Sequence, residues 1–283
     1  MLFLSFCIVG CAVQKQTRPA TPFAAVVGPV ILAHRGGSLE APENTRESIA
    51  HGIAVGADWQ ELDVTLSKDG EVVVIHDDTL ERTTNGTGKV ADLTLAELMK
   101  LSAGNPRPAD STATRLKELG VELPAFGERF KDARIPTLDE VLKLPDARLM
   151  VELKESPEPE QLVRKTLALV RDSGIEGRIG IACFDARALQ LVHDLEPALP
   201  LIGLVEDEAG FEKMLELPLA VLAVSTELAS LAMEKAPPGI AVWVWTVYSA
   251  AQAQEIAALG VHGIITDAPS VVLKALRPDD SAK

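Results

Sequence analysis

The sequence is short of basic residues relative to acidic ones. Of its 283 residues, 27 are Lys or Arg and 41 are Asp or Glu, so the formal net charge is −14. A chain of this charge offers no broad basic surface, and nucleic acids are therefore not expected as partners. Hydrophobic residues nevertheless make up 47% of the chain, which is enough for a large core and excludes whole-chain disorder.

Cysteine is also scarce, with three residues at positions 7, 11 and 183. Residues 1–10 are apolar, are far too short to span a membrane, and resemble the core of a signal peptide, although no Lys or Arg precedes them. The residues ending at Cys11 resemble a bacterial lipoprotein cleavage box, in which the cysteine becomes the lipidated first residue. If Cys7 is removed and Cys11 acylated, only Cys183 remains, and no internal disulfide is expected.

These features predict a lipoprotein of the bacterial cell envelope, periplasmic or on the outer surface. The predicted organisation is a signal segment over residues 1–10, a tether over 11–28, one folded domain over 29–277 and a tail over 278–283. Membrane association is expected through the N-terminal lipid anchor only.

Within the domain, short apolar runs alternate with stretches of helical periodicity. Near-continuous apolar runs are typical of strands buried on both faces, which indicates a parallel sheet. Nine runs are strand candidates: residues 30–35, 59–66, 71–77, 148–154, 178–184, 200–206, 219–225, 241–247 and 261–267. Helices are predicted over residues 46–56, 93–101, 137–144, 157–174, 186–195, 210–217 and 250–260.

The arrangement of these runs favours an α/β fold of the TIM (β/α)8 barrel class. Asp69-Gly70 predicts a tight hairpin between the second and third runs, which leaves eight parallel strands. An open doubly wound sheet is the alternative, but the Gly-rich phosphate loop that it needs after its first strand is missing. Residues 78–135 are too long for an ordinary loop and are interpreted as an insertion, borne by the hairpin, over the C-terminal rim of the barrel.

Charged residues gather where predicted strands end, which is where TIM barrels carry their active sites. The first strand ends in His34-Arg35-Gly36-Gly37, the second carries Glu61 and Asp63 on one face, and the third barrel strand carries Glu152 and Lys154 on one face. Buried carboxylates that face each other are costly without a cation. Three carboxylates form an all-oxygen site, which favours one Mg²⁺ or Ca²⁺ ion.

The hairpin brings a second histidine toward these carboxylates. A two-residue Asp69-Gly70 turn would pair Lys68 with Glu71 and place His76 opposite Asp63. Two histidines, a hard cation and the positive charges of Arg35 and Lys154 fit the hydrolysis of a phosphate diester. In this interpretation cations hold the phosphate, one histidine activates the nucleophile and the other protonates the leaving alcohol.

An ordered series of motifs makes the sequence similar to the glycerophosphodiester phosphodiesterase family. They are HRGG (34–37), APENT (41–45), ELDV (61–64), KDG (68–70), VVIHDDTLERTTNGTG (73–88), IPTLDEVL (135–142), VELK (151–154), VWTV (244–247) and GIITDAP (263–269). The resemblance implies a TIM barrel, one divalent cation, and cleavage of glycerophosphodiesters to sn-glycerol 3-phosphate and an alcohol.

The resemblance also implies roles for individual residues. It makes His34 and His76 the acid/base pair; Glu61, Asp63 and Glu152 the metal ligands; Arg35 and Lys154 the phosphate-binding residues; Trp245 a contact of the glycerol end; and Glu43 a supporting residue that orients His34 or sits near the metal. Tyr248 stands where the family commonly has Asn, and Cys183 where it often has Ser.

Two alternatives stay open at this point. The same barrel and metal fit phospholipase D-like or lysophospholipase D-like hydrolysis of an acylated lipid, and the barrel also fits a non-catalytic envelope protein that only binds its ligand. The remaining histidines, His51, His193 and His262, are interpreted as packing or surface residues, and Trp243 as a filler of the barrel. For Asp267, at the end of the last strand, a structural hydrogen bond and a ligand contact are both compatible with the sequence.

Overall fold

Nine strands form one sheet that closes on itself as a barrel. The computed structural model describes residues 28–278. The sheet order is β1-β9-β8-β7-β6-β5-β4-β2, and β1 pairs with β2 to close the ring of eight parallel strands, with β3 antiparallel to the end of β2. The predicted TIM barrel is confirmed. The strands are β1 (Val30–Ala33), β2 (Trp59–Leu66), β3 (Val72–Val74), β4 (Leu149–Leu153), β5 (Ile179–Cys183), β6 (Leu201–Val205), β7 (Val221–Ser225), β8 (Ala241–Val247) and β9 (Gly263–Thr266).

Alternate strand residues divide the core into two apolar layers, because successive side chains point to opposite faces of a strand. The outer layer joins the sheet to the helices, and the smaller inner layer fills the barrel with side chains that include Leu32, Met150 and Trp243. Trp243 is fully buried, and a Cβ atom at Gly263 would lie only 2.4 Å from its indole ring. Trp243 therefore fills the barrel, as the sequence suggested.

The β2–β3 hairpin has a different register from the predicted one. Val64 lies opposite Val74, so Asp63 faces Ile75, whose backbone N–H donates to the Asp63 carbonyl at 3.0 Å. The predicted pairing of Asp63 with His76 is wrong. The connection is a three-residue loop over 68–70, closed by Gly70 at φ 77° and by a Gly70 N–H bond to the Ser67 carbonyl of 2.9 Å.

Ten α-helices surround the barrel within the described residues. Those at 110–118, 229–235 and 269–276 were not among the predicted helices. The helices are α1 (Arg46–Ala54), α2 (Leu95–Leu98), α3 (Asp110–Glu118), α4 (Leu138–Leu142), α5 (Pro159–Ser173), α6 (Ala186–Leu195), α7 (Glu208–Met214), α8 (Ala229–Lys235), α9 (Ala250–Ala258) and α10 (Pro269–Leu276).

The segment interpreted as an insertion, residues 78–135, holds α2 and α3 and packs against β3 through its own apolar cluster, which includes Leu80, Leu98 and Ile135. Its α3 brings Thr112 close to the Tyr248 side chain. The predicted signal segment and tether up to residue 27, and the tail beyond residue 278, lie outside the described residues. Between residues 28 and 278, every helix is too short or too polar to cross a membrane.

Candidate active site

The turn after β1 places two charged residues over the barrel mouth. His34, Arg35 and Gly36 form a 3-10 turn, with positive φ angles at Arg35, Gly36 and Gly37 of 52°, 81° and 100°. A Cβ atom at Gly36 would lie 2.4 Å from the carbonyl carbon of Ser48, so glycine alone fits there. The turn points the Arg35 backbone N–H at Glu61 Oε2, at 2.7 Å.

Three carboxylates meet beneath this turn. Glu61, Asp63 and Glu152 are all buried, and each offers an oxygen within 4.8 Å of the others. Glu61 Oε1 and Asp63 Oδ1 are buried with no hydrogen-bond partner among the described residues. Buried carboxylate oxygens without partners fit a hard divalent cation, since such ions take oxygen ligands.

The charges around these carboxylates set their protonation. Burial raises the pKa of Glu61 to about 8, and the Asp63 carboxylate adds to the rise. Burial alone would also raise the pKa of Asp63, but His76, Lys154 and Arg35 hold it well below its usual range. Two neighbouring carboxyl groups repel each other when both are ionised, and a bound cation would offset that repulsion.

Two cations border the carboxylates, as the sequence predicted. Arg35 Nε lies 3.4 Å from Asp63 Oδ2, and Lys154 Nζ lies 2.7 Å from Glu152 Oε1 and 3.6 Å from Asp63 Oδ1. The side chains of both cations are less than one-fifth exposed. Burial lowers and the neighbouring carboxylates raise the pKa of Lys154, with a net rise, so it stays charged.

The two histidines face the same cleft, and each is held by a carboxylate at Nδ1. His34 Nδ1 is bonded to Asp267 Oδ1, and its Nε2 lies 3.8 Å from Glu61 Oε2. His76 Nδ1 lies 2.7 Å from Asp77 Oδ1. A carboxylate accepts the Nδ1 proton and leaves Nε2 of the neutral ring free to take a proton. Burial lowers the pKa of His34, but Asp267 and Glu61 outweigh it, and the net pKa is raised.

His76 reaches the cleft in spite of the shifted hairpin register. β3 ends at Val74, and the chain bends at His76, so the side chain does not follow the strand alternation on which the prediction relied.

Glu43 was expected to orient His34 or to sit near the metal, and among the described residues the Nδ1 bond of His34 goes to Asp267 rather than to Glu43. Glu43 is buried and instead accepts hydrogen bonds from Arg35 Nη1 at 3.0 Å and from Arg82 Nη1 and Nη2 at 2.5 and 2.8 Å. Burial would raise the pKa of Glu43, but Arg35 and Arg82 hold it below its usual value. The partner of His34 is Asp267, which sequence reasoning had left undecided.

Sequence reasoning also missed Asn44, next to Glu43. Its side-chain amide donates to Asp63 Oδ2 at 2.7 Å, and its carbonyl oxygen accepts from the Asp63 backbone N–H at 3.2 Å. Asn44 adopts φ 57°, a conformation that asparagine tolerates better than most residues, and the following helix α1 starts with a Thr45 capping box. The hydrogen bonds of Asn44 thus hold the loop that follows β1 against β2.

An aromatic wall closes the other side of the cleft. Trp245 is anchored by its Nε1–H bond to the Ala223 carbonyl at 3.1 Å, and Phe184 packs edge-on against it with ring centroids 5.8 Å apart. Phe184 is 45% exposed. The cleft holds a cavity of about 90 Å³ and is lined by His34, Arg35, Glu61, His76, Met150, Glu152, Lys154, Phe184, Leu204, Trp245, Thr246 and Ile265.

The residues in which the sequence departs from the family pattern lie near this site without lining it. Cys183 is buried below Phe184, and burial raises its pKa to about 12. Burial raises the pKa of Tyr248, and the Asp267 carboxylate adds to the rise. Of the other histidines, His51 is bonded to Glu40 at 2.7 Å, and His262 Nδ1 accepts from the Val242 backbone N–H at 3.0 Å.

Comparison with known proteins gives one consistent answer. Residues 34–271 match the Glycerophosphoryl diester phosphodiesterase family. A glycerophosphodiester phosphodiesterase of Caldanaerobacter subterraneus subsp. tengcongensis is 34% identical over 261 residues, which cover 88% of this chain and 98% of that protein. One of Bacillus altitudinis is 31% identical and covers 86% and 96%.

Solved structures agree with the sequence relatives. An Oleispira antarctica phosphodiesterase, in complex with the product sn-glycerol-3-phosphate, superimposes with a TM-score of 0.75 at 26% identity, over 88% of this chain and 96% of that one. A glycerophosphodiester phosphodiesterase of Agrobacterium tumefaciens gives a TM-score of 0.65 at 27% identity, over 86% and 98%. Because the family match spans most of the sequence and the relatives align over nearly their whole length, the chain belongs to the glycerophosphoryl diester phosphodiesterase family.

Proposed function

We propose that the protein hydrolyses glycerophosphodiesters to sn-glycerol 3-phosphate and an alcohol, with one divalent cation, Mg²⁺ or Ca²⁺, held by Glu61, Asp63 and Glu152. The observation that carries the proposal is the pair of histidines, each with a carboxylate at Nδ1, facing one cleft that also holds the three carboxylates. The bound cation would supply positive charge against the phosphate oxygens and the attacking oxygen.

The side chains of the cleft account for the remaining steps. Arg35 and Lys154 are fixed by buried carboxylates, so they offer charge to a phosphate at little cost in side-chain ordering. One histidine takes the proton of the attacking oxygen at Nε2, and the other gives a proton from Nε2 to the leaving alcohol. Trp245 presents an apolar face to the glycerol end of the substrate.

A substrate panel tests this function. Purified protein is incubated with glycerophosphocholine, glycerophosphoethanolamine and glycerophosphoglycerol, in EDTA and after addition of Mg²⁺ or Ca²⁺, and the products are identified. We expect sn-glycerol 3-phosphate only with added cation. Full activity in EDTA would refute the metal assignment, and inactivity on the whole panel despite tight metal binding would favour the non-catalytic binding protein.

Variants of the two histidines test the acid/base pair. His34→Ala and His76→Ala should each lower kcat by about 10²- to 10⁴-fold, which is the usual contribution of a positioned proton donor or acceptor. The matched control is His193→Ala on helix α6, away from the cleft, which should keep kcat. A near-normal rate in either active-site variant removes that histidine from the pair.

An acylated lipid is the second candidate substrate, and the exposed Phe184 at the mouth favours including it. Adding a lysophospholipid to the panel decides between the two. Higher kcat/KM on the lysophospholipid than on glycerophosphocholine would assign lysophospholipase D-like activity to this site.

We also propose that the chain is an envelope lipoprotein anchored through Cys11. The lipoprotein-like residues before Cys11 support this localisation. Metabolic labelling with a radioactive fatty acid in a bacterial host should mark the wild-type chain and not the Cys11→Ala variant. Equal labelling of the two would exclude this anchor.

A further inference from the structure

Arg82 lies behind the active site and contacts two of its supporting carboxylates at once. Its Nε and Nη2 donate to the two oxygens of Asp77 at 2.6 and 2.8 Å, and its Nη1 and Nη2 donate to the two oxygens of Glu43 at 2.5 and 2.8 Å. The side chain is 14% exposed. Arg82 belongs to the segment over residues 78–135, outside the barrel strands.

Each of these carboxylates holds a different functional group. Asp77 bonds to His76 Nδ1 at 2.7 Å, and Glu43 bonds to Arg35 Nη1 at 3.0 Å. Asp77 therefore links Arg82 to His76, a proposed acid/base group. Glu43 links Arg82 to Arg35, a proposed phosphate-binding group.

The geometry suits a guanidinium and no other side chain. Arg82 has three donor nitrogens in a rigid plane and engages all three with the two carboxylates, which a lysine ammonium cannot match. Arg107, in the same segment, also holds Arg82 in place. Arg82 Nη1 donates to the Arg107 carbonyl at 3.0 Å, and the Arg107 backbone N–H donates to the Arg82 carbonyl at 2.9 Å.

We infer that Arg82 is a positioning residue that fixes His76 through Asp77 and Arg35 through Glu43, so that the segment over residues 78–135 completes the active site of the barrel. This inference rests on the proposed function. It predicts two separable defects when Arg82 is removed: a loss in the proton-transfer step, through His76, and weaker phosphate binding, through Arg35.

Steady-state kinetics on glycerophosphocholine separates these defects. Arg82→Ala should lower kcat by about 10- to 100-fold, as a small displacement of a reacting group does, and should also raise KM several-fold. Asp77→Asn should lower mainly kcat, and Glu43→Gln should raise mainly KM. Arg82→Lys should recover part of kcat, because lysine restores the positive charge but not the three planar donor nitrogens of the guanidinium.

Double variants identify the route of the effect. In an Asp77→Asn background, Arg82→Ala should lower kcat by less than threefold further, because the route to His76 is already broken. In a Glu43→Gln background it should no longer raise KM. Arg164→Ala, which removes an exposed ion pair with Glu160 on α5, is the matched control and should change neither constant.

The outcomes are distinguishable. Unchanged kcat and KM in folded Arg82→Ala, or effects that multiply fully with those of Asp77→Asn and Glu43→Gln, would overturn the positioning role and leave the proposed function intact. Loss of kcat that merely follows the folded fraction, measured by circular dichroism, would assign Arg82 a structural role only. If Arg82→Ala does not fold, Arg82→Lys and Arg82→Gln serve in its place. An inactive wild-type protein would refute both proposals.

Discussion

Replacing Asp267 with asparagine is the sharpest test of how His34 is held. Asp267 is 3% exposed, and its Oδ1 bonds to His34 Nδ1. Asparagine keeps the size of the side chain but removes the charge, and its amide nitrogen can face Nδ1 as a donor. The variant therefore loses a charged hydrogen bond and the control over which ring nitrogen carries the proton.

The size of the effect follows from that one bond. A hydrogen bond to a charged group contributes about 1.5–3 kcal/mol. Because 1.36 kcal/mol corresponds to a tenfold change in rate, loss of this bond in the transition state lowers kcat by about 10- to 150-fold. KM should stay nearly constant, since Asp267 is not among the residues that line the cleft.

Stability should change with a defined pH dependence. Because Asp267 and Glu61 outweigh burial and raise the pKa of His34, their stabilising effect is fully present below the usual histidine pKa of about 6.5 and is lost as the pH rises through the raised value. In EDTA, Asp267→Asn should therefore lower the free energy of unfolding more at pH 6 than at pH 9, measured by urea denaturation.

The control lies at the opposite end of the barrel. Asp58 accepts from the Ile31 backbone N–H at 2.7 Å and from Arg277 Nη2 at 2.5 Å. Asp58→Asn should lower stability, equally at pH 6 and pH 9, and keep kcat. An Asp267→Asn protein with wild-type kcat would refute the role of Asp267, and a destabilisation that is the same at both pH values would refute its electrostatic origin.

Three further outcomes are expected. Gly36→Ala should lower the free energy of unfolding, measured in urea, by more than about 2 kcal/mol. The reason is that the added Cβ would clash with backbone atoms at a residue whose φ is 81°. The control Gly120→Ala, at φ 66° with open space around it, should lower the free energy of unfolding by only about 1 kcal/mol. Asp77→Asn should cost roughly 1–3 kcal/mol at pH 7. Burial would raise the pKa of Asp77, but His76 and Arg82 hold it below its usual range, so the difference in urea stability should shrink as the pH falls below about 4. With its pKa raised to about 12 by burial, the Cys183 thiol should resist iodoacetamide at pH 8 in the folded protein and react after unfolding, as read by peptide mass spectrometry.

Local patterns predicted the strands and the carboxylate cluster well, because both depend on short periodicities. Glu61 and Asp63 share a face through strand alternation, and parallel neighbours bring Glu152 level with Asp63 in the sheet. The hairpin register was less predictable, since Asp69-Gly70 is compatible with both a two-residue turn and the three-residue loop that forms.

Contacts between residues that lie far apart in the chain could not be predicted from local sequence patterns. His34 and Asp267 are separated by 233 positions, and Arg82 meets Glu43 across 39. Only the closed barrel shows that Asp267, and not Glu43, contacts His34. Helix α10 carried a readable signal, a proline at its first turn followed by apolar residues at helical spacing, whereas α3 lies in the irregular segment and has a polar surface.

The seam of the barrel has a consequence for biosynthesis. β1 and β9 pair along their whole length, and His34 follows the first while Asp267 follows the last. His34 is therefore synthesised near the start of the domain and Asp267 near its end. A chain released before residue 267 would carry His76, Arg82 and all three clustered carboxylates, yet its His34 would lack the carboxylate that bonds its Nδ1. The full rate of turnover would then require synthesis of the whole domain, and reaching that rate would report closure of the ring.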